Sequence, residues 1–298
     1  METIQHIHHI SAIVGNVHEN VAFYRQVLNL HLVKQTVNYD DPSTYHIYFA
    51  NQKAENGSLI TFFPWENSQD GQKGSGQVGR IGFRIPKGSL KHWEEVLSQH
   101  QVTYTQESWG NLKALFFHDP HAVDLALVES DEVADTPEII SFHGSYLLSN
   151  DYKGSRDFLL HYMDLEELPE GDDFYQFHTK GSLRHHIILP KYNYLRGVLG
   201  PGTVHHIAWN VTDLDSLTDY KTQLDAAGFN VTSIRNRNYF KSIYLRETGK
   251  VIFEFATQGP GMTIDEDLEH LGQKLQLPPM YEKRRQEIES NLEPLKGL

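Results

Sequence analysis

Two short apolar segments at opposite ends of the chain carry adjacent histidines, "IHHISAIV" at Ile7–Val14 and "VHHIAWNV" at Val204–Val211. Side chains alternate along a strand, so residues two apart share a face. In the second segment Ile207, Trp209 and Val211 then turn toward a core, and His206, Ala208 and Asn210 toward the other face. In the first, Ile10, Ala12 and Val14 are core, which leaves His9 and Ser11 on the free face. The second histidine of each pair is therefore the better metal-ligand candidate. His8 and His205 belong to the opposite face unless a twist or bulge brings their rings round. His9 lies seven residues before Asn16 and His206 seven before Asp213, both polar residues where strand gives way to helix, so the histidines stand at matching points of two repeats. A third donor comes from "KVIFEFAT", where Glu254 sits between Phe253 and Phe255. A lone carboxylate in an apolar strand is costly to bury without a partner, and a divalent cation is the obvious one. Two imidazoles and one carboxylate form the facial set that suits non-haem Fe(II), with positions left open; Mn(II) is compatible with the same donors.

Most of the 18 histidines must be bystanders. His46, His118, His121, His143, His178, His185 and His186 are expected to be surface or hydrogen-bonded core residues; the "HH" at 185–186 falls at the wrong place in its repeat. The absence of cysteine excludes disulfides, thiolate metal sites and thiol nucleophiles. A net charge of −13 and a pI near 5.7 oppose binding to nucleic acid or anionic lipid. Mean hydropathy is −0.49, no apolar run is long enough to span a bilayer, and the N-terminus lacks the pattern of a signal peptide. A cytoplasmic protein without nucleic-acid or membrane partners is expected, and homo-oligomerisation is compatible with the sequence.

The elements that must position these residues form an internal repeat. Each unit reads as strand, helix and three strands. The first runs from "HISAIVGNV" through the helix "ENVAFYRQVLNL" to "SLITFFPW", and the Gly/Ser/Gln stretch "SQDGQKGSGQ" reads as a flexible linker. The second opens at "GRIGFRIP" and ends before the acidic stretch "ESDEVADTPE". A blurred third opens at "FHGSYLLSN". The fourth opens at "TVHHIAWNV", with Leu214, Leu217, Tyr220 and Leu224 on one helix face and Gly228 as the stop. The expected fold is α+β: four βαβββ modules forming paired open, curved mixed sheets with helices outside and a free concave side. Residues 1–135 hold the N-terminal pair of modules, 136–262 the C-terminal pair, and 263–298 a helical tail. The metal reading requires the opening strands of the outermost modules to lie side by side.

These segments resemble the vicinal oxygen chelate superfamily and, within it, extradiol ring-cleaving dioxygenases of the hydroquinone 1,2-dioxygenase type. The likeness covers nearly the whole chain through "HHISAIVGNVHENVAFYRQVLNL", "VNYDDPSTYHIYFAN", "LITFFPW", "GTVHHIAWN", "FEFATQGPGM" and "LPPMYEKRR". The resemblance implies that His9, His206 and Glu254 bind Fe(II) or Mn(II). It also implies supporting roles for His8, His205 and Ser11, which keeps a hydroxyl where threonine is also found. The family's Arg and Tyr ahead of the metal-binding Glu match Arg237 and Tyr244, although Arg235 and Tyr239 are near enough to compete. The implied reaction opens a hydroquinone or catechol ring with O2, the diol docked as a phenolate. Phe62, Phe63, Trp65 and Phe255 are candidate pocket walls, core packing being the expectation for most of them. Two other activities use the same scaffold, a glyoxalase-type isomerase and a metal-free drug-sequestering protein. The first commonly needs an acid in the last strand of the first unit, where "SLITFFPW" offers none; the second generally lacks the full set of two histidines and a glutamate.

Overall fold

The computed structural model describes residues 1–169 and 171–295. The repeat appears four times. The first module comprises β1 (Ile7–Val14), α1 (Val17–Ala22), β2 (His31–Val37), β3 (Tyr45–Ala50) and β4 (Leu59–Pro64). The second comprises β5 (Gln77–Ile85), α2 (Leu90–Gln99), β6 (Tyr104–Trp109), β7 (Leu112–His118) and β8 (Asp124–Glu129). The third comprises β9 (Ser141–Leu148), α3 (Tyr152–His161), β10 (Glu166–Glu167), β11 (Phe174–His178) and β12 (His186–Pro190). The fourth comprises β13 (Thr203–Val211), α4 (Leu214–Ala226), β14 (Arg235–Asn236), β15 (Phe240–Arg246) and β16 (Ile252–Pro260).

Hydrogen bonding joins the modules across the sequence. β1 runs antiparallel to β13, and β5 antiparallel to β9. The first module is thus paired with the fourth in the order β2-β3-β4-β1-β13-β16-β15-β14, and the second with the third as β6-β7-β8-β5-β9-β12-β11-β10. A Val78–Val204 pairing between β5 and β13 connects the two curved halves. The division at 135 and 262 therefore follows the order of modules along the chain rather than the hydrogen-bonded halves.

Strand alternation sorts the side chains onto two faces. Ile10, Ala12, Val14, Ile207, Trp209 and Val211 join the main core with the buried helix residues Val21, Leu217, Tyr220 and Leu224. A separate small cluster, with Val33, Tyr48, Ala208, Phe240 and Ala256, lines the concave side. The strand-to-helix turns are capped at the anticipated residues: the Asn16 side chain accepts from the backbone of His18 and Glu19, and Asp213 from Ser216.

Four local expectations need correction. Leu214 is the first helical residue of α4 and 40% exposed, so the buried face begins at Leu217. "FNVTSIRN" contributes only the two-residue β14, because its backbone bonds out of register to the adjoining strand, Thr232 to Tyr244. The stretch read as a flexible linker is tied down: Gln72 and Val198 exchange two backbone hydrogen bonds of 2.8 Å, and Ser75 donates to Leu195. Glycine makes this crossing possible, since a Cβ on Gly74 would lie 2.3 Å from the Leu195 carbonyl. Among the described residues the tail is α-helical only at Arg285–Asn291, anchored by Ile288 and Leu292, with single 3-10 turns at Leu268–His270 and Glu282–Arg284 before it; positions 296–298 of the expected tail lie outside the described residues.

Candidate metal centre

Strand register alone assembles the site. His9 pairs with Ala208, and Ala208 with Glu254, which pairs in turn with Tyr244. One row across β1, β13, β16 and β15 therefore holds His9, Ala208, Glu254 and Tyr244 on the concave face. A second row holds His206, Ser11, Thr61 and Tyr48 across β13, β1, β4 and β3. Ala208 is the small residue between His9 and Glu254, which leaves room above it for their functional groups.

The three donors converge. His9 Nε2 lies 3.2 Å from His206 Nε2 and 3.2 Å from Glu254 Oε2, and His206 Nε2 lies 2.8 Å from the same oxygen. Donors held about 2.1 Å from one ion at right angles are about 3 Å apart, so the triangle has the size of a facial three-ligand set. Glu254 is 0% exposed. Its contacts to the imidazoles are close but lack hydrogen-bond geometry, and both carboxylate oxygens are buried without a donor. Burial pushes the Glu254 carboxyl up, and the opposing influence of His9 and His206 is stronger, so it is held well below the usual carboxylate range. Two imidazole nitrogens facing each other and an ionised carboxylate without a donor are a poor closed arrangement and a good cation cradle. The donor set fits a divalent metal. Among the described residues no other group of three such side chains converges this way.

The first histidine of each pair is brought round by a bulge, the alternative to strict alternation. His8 is the extra residue of β1 between the Ile7–Trp209 and His9–Ala208 pairs, and His205 the extra residue of β13 between Ser11–His206 and Ala12–Val204. Each then meets its neighbour ring to ring: His8 Nδ1 lies 2.8 Å from His9 Nδ1, and His205 Nδ1 2.7 Å from His206 Nδ1. These contacts occupy the outer nitrogens of His9 and His206 and leave both Nε2 atoms turned to the centre. Burial depresses His8 and His205 to about 3, so both are neutral at physiological pH.

A cavity of about 110 Å³ opens onto the triangle, walled by His205, Tyr244, Arg237, Phe63, Trp65 and Phe240 among others. Arg237 Nε donates to the Tyr244 hydroxyl at 3.2 Å and its other end reaches Asp40. The ambiguity between neighbours resolves by position: Arg235 is exposed on Asp40, and Tyr239 turns away to donate to Asp265. Burial, reinforced by the Glu254 charge, raises the Tyr244 phenol above its ordinary value despite Arg237. Phe63 and Trp65 line the cavity, whereas Phe62 and Phe255 lie in the main core. A larger depression of about 620 Å³ beside Trp65 and His121 is a more open surface feature and includes none of the three donors.

The bystander histidines include one that sequence reasoning undervalued. His46 is hydrogen-bonded as expected, Nε2 to Thr61 at 2.9 Å and Nδ1 to Tyr48 at 2.9 Å, but it also lines the cavity, stacked on Phe63. Ser11 Oγ meets Thr61 at 2.6 Å, so a chain of polar groups runs Ser11–Thr61–His46–Tyr48 along one wall. A signal was available: the alternation in "TYHIYFAN" puts His46 and Tyr48 on one face, opposite Ile47 and Phe49.

The β1–β13 pairing relates the two modules by an approximate twofold axis. It exchanges His9 with His206, Thr61 with Glu254 and Tyr48 with Tyr244. Thr61 thus stands at the corner where a fourth protein ligand would be placed, and supplies a hydroxyl already engaged by Ser11 and His46. A family model, the Glyoxalase/Bleomycin resistance protein/Dioxygenase superfamily, matches residues 6–255. The chain belongs to this superfamily. Among superfamily relatives, it is 42% identical to the protein named "Putative ring-cleaving dioxygenase MhqO" of Bacillus subtilis (strain 168), over 97% of this chain and 96% of that one. It is 31% identical to the chlorohydroquinone/hydroquinone 1,2-dioxygenase of Sphingobium indicum, over 96% and 95% of the two chains. A crystal structure described as a "putative dioxygenase" from Bacillus subtilis superposes with a TM-score of 0.95 at 41% identity, covering 99% of both chains. The superfamily match spans every candidate residue from His8 to Glu254. No helix of the described residues is long and apolar enough to cross a membrane.

Proposed function

We propose that this chain is a metal-dependent, extradiol-type ring-cleaving dioxygenase that opens a hydroquinone or catechol ring with O2, using Fe(II) or Mn(II) held by His9, His206 and Glu254. The observation that carries this reading is the three-donor triangle facing a ring-sized cavity, with the hydroxyl of Thr61 rather than an acid at the fourth corner. A site closed by four protein donors suits a structural or tightly ligated metal; one with three keeps positions for substrate and dioxygen. The names of the full-length relatives support the same reaction class.

A bound metal supplies acidification of a coordinated phenol and an electron path between ring and dioxygen. The chain's own residues do the rest. Tyr244 accepts from Arg237, which leaves its own proton available to an oxygen in the cavity; its raised pKa keeps that proton in place at neutral pH. The Arg237 charge favours the phenolate form of the diol and any further negative charge that develops beside it. His8 and His205 fix the orientation of the ligating rings. Only His205 of the two walls this cavity, so His205 is assigned the proton-moving role and His8 the orienting one. Ser11 holds Thr61, and through it His46, against the wall. Phe63, Trp65 and Phe240 exclude water from the ring face.

An oxygen-electrode screen of Fe(II)- or Mn(II)-loaded protein against hydroquinones and catechols tests the reading. One dioxygen consumed per diol is expected; product formation without oxygen uptake would assign an isomerase instead. Tyr244→Phe is expected to retain the metal and to lower kcat by about 10- to 100-fold, the effect of losing one positioned donor. Full activity in that variant would remove Tyr244 from the mechanism and leave the metal ligands untouched.

A further inference from the structure

A second cavity, of about 200 Å³, lies on the far side of Phe240 from the metal-facing one. Phe240 lines both. Its ring is 5.2 Å from the His9 ring and 4.9 Å from the His8 ring, and His8 lines this second space. The Phe240 and His8 side chains thus stand between it and the candidate metal centre. The inner wall is apolar: Val33, Ala50, Leu59, Phe240 and Leu271 belong to the concave-side cluster, with Leu59 directly opposite His9 in the sheet. Of the polar lining residues, Glu55, Asn56, Gln258 and Thr263 are exposed and mark the solvent end, while His6 and His8 are half-buried at its side.

The roof is the segment from Met262 to Leu271, and it is fastened with unusual care. Lys34, on β2, is fully buried and bonds Asp265 at 2.6 Å as well as Glu266. Lysine is almost never buried completely unless paired. Tyr239 donates to the same Asp265 at 2.9 Å, while Gln35 bonds the Gly272 carbonyl and accepts from Gln276. Gly272 passes so close that a Cβ there would lie 2.0 Å from the Leu32 carbonyl. These contacts hold an apolar space open next to a polar centre, where collapse would bury more surface.

Two reactants of different character must reach the centre. The diol fills the ring-sized cavity and, once bound, obstructs that route. Dioxygen is small, uncharged and apolar, and apolar protein cavities stay dry and take up such guests. We infer that the second cavity is a dioxygen antechamber, with Phe240 as the partition it crosses; this rests on the ring-cleaving reading above.

Xenon is the probe, because its binding needs neither metal nor turnover. Crystals of metal-free wild-type protein under xenon pressure are expected to show an atom between Leu59, Phe240 and Leu271. Ala50→Leu, which fills the space, is expected to abolish that site. In the metal-loaded variant the KM for oxygen should rise at least about fivefold, while the KM for hydroquinone stays within about twofold. Absence of xenon from the wild-type cavity would overturn the inference. So would a raised hydroquinone KM with an unchanged oxygen KM, which would show that the space holds part of the aromatic substrate. Xenon bound without any oxygen uptake by metal-loaded wild type would remove the ring-cleaving reading and the antechamber with it.

Discussion

Glu254→Ala is expected to abolish metal retention and turnover together, with kcat/KM falling more than about 100-fold, beyond what loss of a supporting contact to a metal ligand costs. The carboxylate is the only anion of the triangle and is fully buried. Without it only two imidazoles are left, which bind a hard divalent cation poorly. The more telling readout is thermal. At a metal concentration of about 1,000 Kd, wild-type protein should gain about 4 kcal/mol of stability, read as a rise of several degrees in Tm. That metal-dependent shift should vanish in Glu254→Ala. The metal-free variant is also expected to lose some stability, since His9 and His206 favour the ionised carboxylate in the fold, so the comparison rests on the metal-dependent shift. If Glu254 served only to hold the two histidines, that shift would survive its replacement.

Thr61→Glu is expected to keep the metal, or bind it more tightly, and to lose oxygen uptake by more than about 100-fold. The reason is positional. Thr61 is the twofold mate of Glu254, so a carboxylate there reaches the same centre from the opposite strand and takes a position that substrate or dioxygen requires. The substitution also breaks contacts to Ser11 and His46, so Thr61→Val is the control. It removes the same hydrogen bonds without adding a donor and should keep both the metal and most of the turnover. Metal analysis beside oxygen uptake separates the cases. Wild-type uptake by Thr61→Glu would show that this corner is not an open position.

Much of this site could be read from particular residues. Alternation in "HHISAIV" and "HHIAWNV" put His9 and His206 on the face away from the helices, where the structure has them. Glu254 announced itself as the one charge in an apolar strand. The capping residues Asn16 and Asp213 put the two repeats in register. What alternation could not reach was the pair of bulges. Strict periodicity sends His8 and His205 to the wrong face, and only one extra residue in each strand brings them against their neighbours. His46, Thr61 and Tyr48 were passed over because single polar groups in a β-rich segment look like ordinary core hydrogen bonds, and their meaning comes from the symmetry that matches them to the fourth module. The Lys34–Asp265–Glu266 cluster was invisible for another reason. It joins residues more than two hundred positions apart, in a tail whose charge pattern reads as a solvated surface. Composition misleads at 68–77 because glycine permits close backbone crossing as readily as it permits freedom.

Titration of metal-free protein with Mn(II), followed by the EPR signal of the free ion, tests the central claim most directly. Saturation at one ion per chain is expected for the wild type, with uptake lost in His9→Ala, His206→Ala and Glu254→Ala alike. Failure of the wild type to take up an ion, or undiminished uptake in any of those three variants, would contradict a shared site built from β1, β13 and β16.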